Sequence, residues 1–347
     1  MKRTHPNPFP DRSRATASRD VEPSPSLRVR SPADLLGIVP YLLGFHPLES
    51  VVAVLLGERQ IVLTARMDAV ELEHPTELAG YLEDLRRQQA ASRVVLITYS
   101  AEAGARERTA ALAEAFDPVV LADALIADEG RWWSVLCPAG CCPADGTPYD
   151  PVAHPLGAAA VYAGLIALPD RAALEAMVCG PAPEDLSRFS VLADAAVAEC
   201  AALSLSRRRR WIRSLVAEGL RDQSPDAELV DRDCARMAAL VTDIAVRDVA
   251  WTQLRRDRAP DHVALWHRVV SRTPPELAAA PLCLLGMAAW VSGNGALQNC
   301  CVGRVLSIDP DYSMAHLLAD INERALPPRC WDELLQEFRR NPQLLAG

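Results

Sequence analysis

The sequence predicts an α/β domain, with a mixed sheet and helices on both faces, followed by an all-α domain of tetratricopeptide-like character. Three observations lead there. As far as residue 150, short apolar runs bounded by turn residues alternate with amphipathic stretches, the pattern of strands and helices layered on one sheet. From Asp170 onward only helix-length periodic segments occur. A chain of 347 residues also exceeds what one hydrophobic core usually organises, so two domains are the default.

Residues 1–27 are rich in Arg, Pro and Ser and lack an apolar core segment, so they read as a disordered tail and not as a signal peptide. The protein is therefore expected in the cytoplasm. The first domain is expected over 28–150. Ser31-Pro32-Ala33-Asp34 places a cap residue, a proline at the first helical position and an acid in the first turn. Leu35, Leu36, Ile38, Val39, Leu42 and Leu43 follow at helical spacing, and Pro40 is expected to end or bend the helix near Val39. Gly44-Phe45-His46-Pro47 is a turn. The unbroken apolar run 51–56 then reads as a strand covered on both faces.

A hairpin brings in a second strand over 61–67, an amphipathic helix follows over 76–89, and 93–99 is another buried strand. A helix over 105–116 and a hairpin of 119–128 with 131–136 complete the sheet. Residues 151–170 read as a linker.

The helical domain is expected over 171–347, with helices at 171–177, 184–218, 227–255, 261–271 and beyond Pro275. Leu285, Gly286, Gly293 and Pro310 reproduce the spacing of a tetratricopeptide repeat near 277–311, in which small residues let two antiparallel helices approach. Ala289 and Val305 fit its small and apolar positions, whereas Gln298 stands where alanine is usual. One such unit cannot bury its own faces, so flanking helices at 261–271 and 314–324 must stack on it.

Three parts of the chain carry a resemblance. SPADLLGIVPYLLGFHPLESVVAV, then Trp132-Trp133-Ser134-Val135-Leu136-Cys137 and Cys141-Cys142-Pro143 with Gly146-Thr147-Pro148, and then the segment 266–310, resemble an actinobacterial family catalogued as domain of unknown function 4192. The resemblance spans residues 28–328. It implies no assigned activity, cofactor or catalytic residue.

Half of the residues are apolar, 23% are charged and the net charge is −9. That balance argues against general nucleic-acid binding, which needs a basic face. The apolar stretch 155–168 is too short to span a bilayer. The stretch 277–303 is long enough, but Ser292-Gly293-Asn294-Gly295 and Gln298-Asn299 interrupt it, so it reads as two buried helices and a turn. No membrane partner is expected. The ten cysteines are expected to stay mostly reduced, and Cys179, Cys200, Cys234 and Cys283 read as small buried hydrophobes.

Four constellations are candidates for function. His46, Glu49 and Ser50 stand at the start of the first strand and supply a base, an acid and a hydroxyl; the alternative is that they serve turn backbone groups. Cys137, Cys141 and Cys142 are candidate zinc ligands, with His154 or His46 as a fourth; the alternatives are a redox pair or a tight turn with packed thiols. On a strand, the rings of Trp132 and Trp133 point to opposite faces, and both are expected in the core. Arg207 to Arg210, with Trp211 and Arg213, offer a phosphate contact or a solvated face paired with acids such as Glu218. No phosphate-binding loop, dinucleotide fingerprint or H-E-x-x-H pair occurs.

These features favour a non-enzymatic binding or regulatory protein whose helical domain takes a protein or peptide partner. The alternative is an enzyme, hydrolase-like or zinc-dependent, with its site built from the GFHPLES turn and the WWSVLCPAGCCP segment. That reading requires the two segments to converge within a few ångströms.

Overall fold

The computed structural model describes residues 28–137, 143–221 and 227–340, and the chain divides into two compact units after Arg171. In the first unit, helix α1 (Pro32–Leu43) opens with a reciprocal cap. Ser31 Oγ accepts from the Asp34 N–H at 3.1 Å, and the Asp34 carboxylate accepts from the N–H groups of Ser31 at 3.1 Å and Arg30 at 2.8 Å. Of the end or bend expected at Pro40, the end does not occur: the helix runs on to Leu43 and stops at Gly44 in the left-handed conformation, φ 83°. A proline in a helix costs about 3 kcal/mol. Burial of Leu35, Leu36, Val39 and Leu43 on one continuous helix, each side chain contributing roughly 1.5–3 kcal/mol, offsets it.

Strands β1 (Ser50–Leu56) and β2 (Ile61–Asp68) form the expected hairpin. Helix α2 (Pro75–Gln88) leads to β3 (Arg93–Tyr99), which pairs antiparallel with β1. Helix α3 (Ala105–Glu114) then crosses to β4 (Leu121–Asp128), parallel to β3, and β5 (Arg131–Ser134) and the two-residue β6 (Thr147–Pro148) follow antiparallel. The result is a mixed six-stranded sheet in the order β2-β1-β3-β4-β5-β6. Val51 to Leu55 are fully buried, so the central strand is covered on both faces. A buried hydrogen bond of 2.7 Å between the hydroxyls of Thr98 and Thr109 fixes α3 against one of them.

The segment 151–170, read as a linker, carries helix α4 (Pro155–Tyr162), which packs on α1. Beyond α4 the chain returns to the start of the sheet. There the His46 N–H donates to the Leu168 carbonyl at 2.9 Å and the Leu168 N–H to the Gly44 carbonyl at 2.8 Å.

The second unit is helical throughout its described residues. Helices α5 (Arg171–Ala176), α6 (Pro183–Ala201), α7 (Leu205–Gly219), α8 (Ala227–Leu240) and α9 (Ile244–Trp251) come first. They are followed by α10 (Ala259–Val270), α11 (Ala279–Val291), α12 (Gly295–Ile308), α13 (Ser313–Glu323) and α14 (Cys330–Arg340). The two long helices expected over 184–218 and 227–255 are each broken. The second break carries a legible signal, because Asp243 caps α9 by accepting from the Ala245 N–H at 2.9 Å. The first, at residues 202–204, has no glycine or proline to mark it.

Helix α11 is the centre of this unit, buried from Ala280 to Val291 and in contact with α9, α10, α12 and α13. A Cβ on Gly286 would lie 3.2 Å from that of Cys301, so the small residue is what lets α11 and α12 approach. Gln298 is fully buried and donates through Nε2 to the Leu318 carbonyl at 3.0 Å, which ties α12 to α13. Helix α14 closes the unit with Trp331, whose ring lies 5.2 Å from that of Trp251 and 6.4 Å from that of Trp290. Among the described residues, no helix is long and apolar enough to cross a membrane.

Candidate functional site at the sheet edge

The strand registers bring one polar row to one end of the sheet. Asp68, Ser50, Tyr99, Ala127, Trp132 and Thr147 are successive partners across the six strands, and directly paired residues share a face. The row lies at the carboxyl ends of the parallel strands β3 and β4, the place where open α/β sheets receive ligands.

Ser50 is fully buried, and its hydroxyl is engaged twice. It donates to the Leu48 carbonyl at 2.6 Å and accepts from Arg66 Nε at 2.8 Å, while the Arg66 guanidinium also pairs with Asp68. Glu49 sits in the left-handed region at φ 42°, a conformation costing a side-chain-bearing residue roughly 1–2 kcal/mol. Its carboxylate accepts from Ser100 Oγ at 2.6 Å and from the Ala101 N–H at 3.4 Å, and its carbonyl accepts from the Ala69 N–H at 3.0 Å. Glu49 thereby stitches β1 to the loop before α3. His46 is half-buried, and burial pushes its imidazole pKa below the ordinary histidine value. None of the hydrogen bonds of Glu49 or Ser50 goes to His46.

On the other side of the row, Trp132 pairs with Ala127 and Trp133 with Ile126, so the two rings do occupy opposite faces. Trp133 Nε1 donates to the Ala144 carbonyl at 3.2 Å. Neither ring is fully buried, contrary to the core position expected for both; among the described residues the outer neighbour of β5 is the two-residue β6. Trp132 Nε1 and the Tyr99 hydroxyl are both buried with no hydrogen-bond partner among the described residues, and they flank the small side chain of Ala127. Burial raises the Tyr99 phenol well above its ordinary pKa and that of the neighbouring Tyr149 to about 12. Ser50 and Trp132 are three strand spacings apart along the row, about 14 Å.

Cys137 is disulfide-bonded, and Cys141 and Cys142 lie outside the described residues. Among the described residues no group of three or more His, Cys, Asp or Glu side chains is arranged to hold a metal. His154 is the N-cap of α4: its Nδ1 accepts from the Leu156 N–H at 3.3 Å and its Nε2 lies 3.6 Å from Asp34. Cys200, Cys234 and Cys283 are buried as expected, whereas Cys179 is exposed after the short helix α5.

Sequence reasoning missed a cleft of about 420 Å³ lined by Arg66, Asp68, Glu71, His74, Glu77 and Tyr81. The residues come from the end of β2, the connection and α2. Only folding places them together, and no local signal in the chain announces it.

The arginine run is divided by its helix. On α7, Arg208 pairs with Asp243 at 3.0 Å, and Arg209 Nε donates to the Ala245 carbonyl at 3.0 Å. Arg236 lies over the Trp211 ring, 5.3 Å from its centroid. Arg207, Arg210 and Arg213 are exposed and make no ion pair among the described residues. The partner expected for them, Glu218, instead accepts from Ser214 Oγ at 2.5 Å.

A mixed six-stranded sheet with a polar row at its edge, preceding a helical unit, defines this chain as a two-unit α/β and all-α protein. It belongs to the family described as domain of unknown function 4192, whose sequence profile matches residues 32–329. No curated protein and no solved structure matches it.

Proposed function

We propose that this is a cytoplasmic, non-enzymatic binding or regulatory protein that engages a protein or peptide partner through its helical unit, which stacks helix pairs in tetratricopeptide-like fashion. The observation carrying this reading is the state of Ser50. A nucleophile needs a free hydroxyl beside a base, whereas this one is buried and spent on Leu48 and Arg66, and Glu49 is spent on Ser100 and Ala101. The close approach of α11 and α12 at Gly286 supports a repeat-like hairpin. Because α11 is buried, the partner surface falls to the outer helices, where Val191 on α6 and Leu317 on α13 stand exposed.

The chain has lysine only at position 2, so amine cross-linkers are unsuited to it. A photo-reactive amino acid placed at Val191 or Leu317, with Leu48 and Tyr162 of the first unit as comparison sites, tests the reading in cells. Protein-sized adducts from the helical sites are expected. Adducts from the first unit alone, or from no site, sink it.

One observation favours the alternative, a hydrolase-like or zinc-dependent enzyme: the donors of Tyr99 and Trp132, without partners among the described residues, on the same row as Ser50. Under this reading Cys137, Cys141 and Cys142 are zinc ligands once the Cys137 disulfide is reduced. Metal analysis of the reduced protein decides it. Zinc near one per chain, lost in Cys141→Ser, supports the enzyme, and a metal-free protein of intact fold removes the zinc site.

A further inference from the structure

We infer that the outer edge of β2 pairs with the same edge of a second copy of this chain, antiparallel about a two-fold axis at Ala65, so that two sheets become one. This concerns the first unit alone and goes beyond the reading of the helical unit. β2 ends the strand order, and among the described residues no strand pairs with its outer side. All of 61–67 are half-buried, whereas Val51 to Leu55 of the neighbouring strand are fully buried. An edge strand presents a row of unpaired N–H and C=O groups, a template for a further strand, which proteins commonly blunt with lysine, proline or projecting charge. The one charged residue of 61–67 is Arg66, and its guanidinium is drawn back onto Ser50 and Asp68.

The ladder decides which backbone groups face outward. The Ala69 N–H donates to the Glu49 carbonyl at 3.0 Å, and Ser50 lies opposite Asp68. Hydrogen-bonded and non-hydrogen-bonded pairs alternate along an antiparallel ladder. Leu63, Ala65 and Met67 therefore turn their N–H and C=O groups towards β1, and Thr64 and Arg66 turn theirs away. Among the described residues these outward groups have no other backbone partner. The regular stretch ends at Val62: Leu55 pairs with Leu63 and Leu56 with Ile61, which leaves Val62 as a bulge.

The residues of this stretch select a second copy as the occupant. Leu63-Thr64-Ala65-Arg66-Met67 reads large, polar, small, polar, large in either direction. Paired with itself about Ala65, it sets Thr64 opposite Arg66 of the second copy, and Arg66 opposite its Thr64, and each pair exchanges two hydrogen bonds. On the other face Leu63 meets Met67, and the two Ala65 side chains meet at the axis, a non-hydrogen-bonded pair where side chains come closest. The Leu63 and Met67 contacts cover apolar surface that β2 leaves half-exposed. The neighbouring registers lack this fit. A shift in one direction opposes the two Arg66 side chains, like charges directly across the ladder. A shift in the other sets Arg66 against the bulge at Val62. The chain thus carries the strand that its own edge fits, with no like charges opposed.

The test is sedimentation velocity on the full chain from about 1 to about 300 μM, a range suited to an interface below ~1,200 Å². A concentration-dependent dimer is expected. Thr64→Pro deletes an outward N–H and leaves the ladder to β1 intact, so it should abolish the dimer while circular dichroism shows a folded chain. Thr64→Glu and Thr64→Arg read the register, because each sets its new charge opposite Arg66 of the second copy. With two such pairs per dimer, association should be roughly fivefold tighter for Thr64→Glu and roughly fivefold weaker for Thr64→Arg. A wild type that is monomeric throughout, a folded Thr64→Pro that still dimerises, or equal effects of the two charges overturns the inference. So does a dimer that survives a non-reducing denaturing gel, since the exposed Cys179 would then be the link. A monomeric wild type that binds a labelled alternating Val-Thr peptide assigns the edge to a foreign strand and overturns it as well. If Thr64→Pro fails to fold, Thr64→Glu and Thr64→Arg decide by the same criteria.

Discussion

The imidazole of His154 occupies the space that a side chain on Gly37 would need: a Cβ at that position would lie 2.5 Å from the ring. Helices α1 and α4 meet through this contact, with Tyr41 against Gly157 as a second close approach on the same interface. Gly37→Ala would gain up to about 1 kcal/mol of helix propensity. The clash with a rigid ring costs more, about 1–3 kcal/mol. The expected result is a net loss of stability in denaturant unfolding. Restoration in Gly37→Ala/His154→Ala relative to His154→Ala alone would confirm the steric cause, and a stabilised single variant would refute it.

Asp231 is 3% exposed and lies between two arginines, Arg188 and Arg272, the latter at 2.6 Å. Asp231→Ala removes the buried acceptor that holds two partly exposed arginines, so a loss of about 1–3 kcal/mol is expected. Urea unfolding measures it, and a change below 1 kcal/mol, roughly the value of a surface pair, would show that the buried pair contributes little.

Two histidines of α10 set an acid limit on the second unit. Burial, the largest cause in each, pushes His262 and His267 from about 6.5 down to about 4, with Arg258 and Arg272 respectively adding to the effect. Both imidazoles are therefore neutral in the native state where the unfolded chain already takes up protons. Their contribution is fully present above pH 6.5 and is lost as pH falls towards 4, by on the order of 3 kcal/mol for each. Stability curves for wild type and His262→Gln should converge on acidification between these limits. Parallel curves would show that His262 does not titrate in this way.

The partnerless hydroxyl of Tyr99 makes a prediction about the sheet edge. A buried donor without an acceptor costs about 1–3 kcal/mol, so Tyr99→Phe should raise the melting temperature of the free protein. A lower melting temperature would mean that an acceptor holds the hydroxyl in solution, and would strengthen the enzyme reading of the row.

Local signals in the chain carried the capping box at Ser31, the hairpin of β1 and β2, the buried strand 93–99 and the helix-turn-helix around Gly293. Each depends on residues close in sequence, through cap geometry, side-chain periodicity or turn preference. The same locality explains the errors. Pro40 reads as an end or a bend because its cost is local, while the burial that carries the helix past it comes from the sheet and α4. Helices α6 and α7 read as one because nothing at residues 202–204 forbids continuation; only packing of α7 against α8 and α9 requires the bend.

The candidate site divides along the same line. The residue types of the His46 to Ser50 turn were legible, and so was its place at the head of a buried strand. Who bonds to whom was decided by register: Ser50 opposite both Asp68 and Tyr99, Glu49 beside Ser100, Trp132 across Ala127 from Tyr99. Composition and periodicity determine which segments are helix, strand or turn because those preferences act over a few residues. Pairing across the sheet, the cleft beside β2 and the open outer edge of that strand arise from contacts between distant segments, and only the tertiary structure decides those.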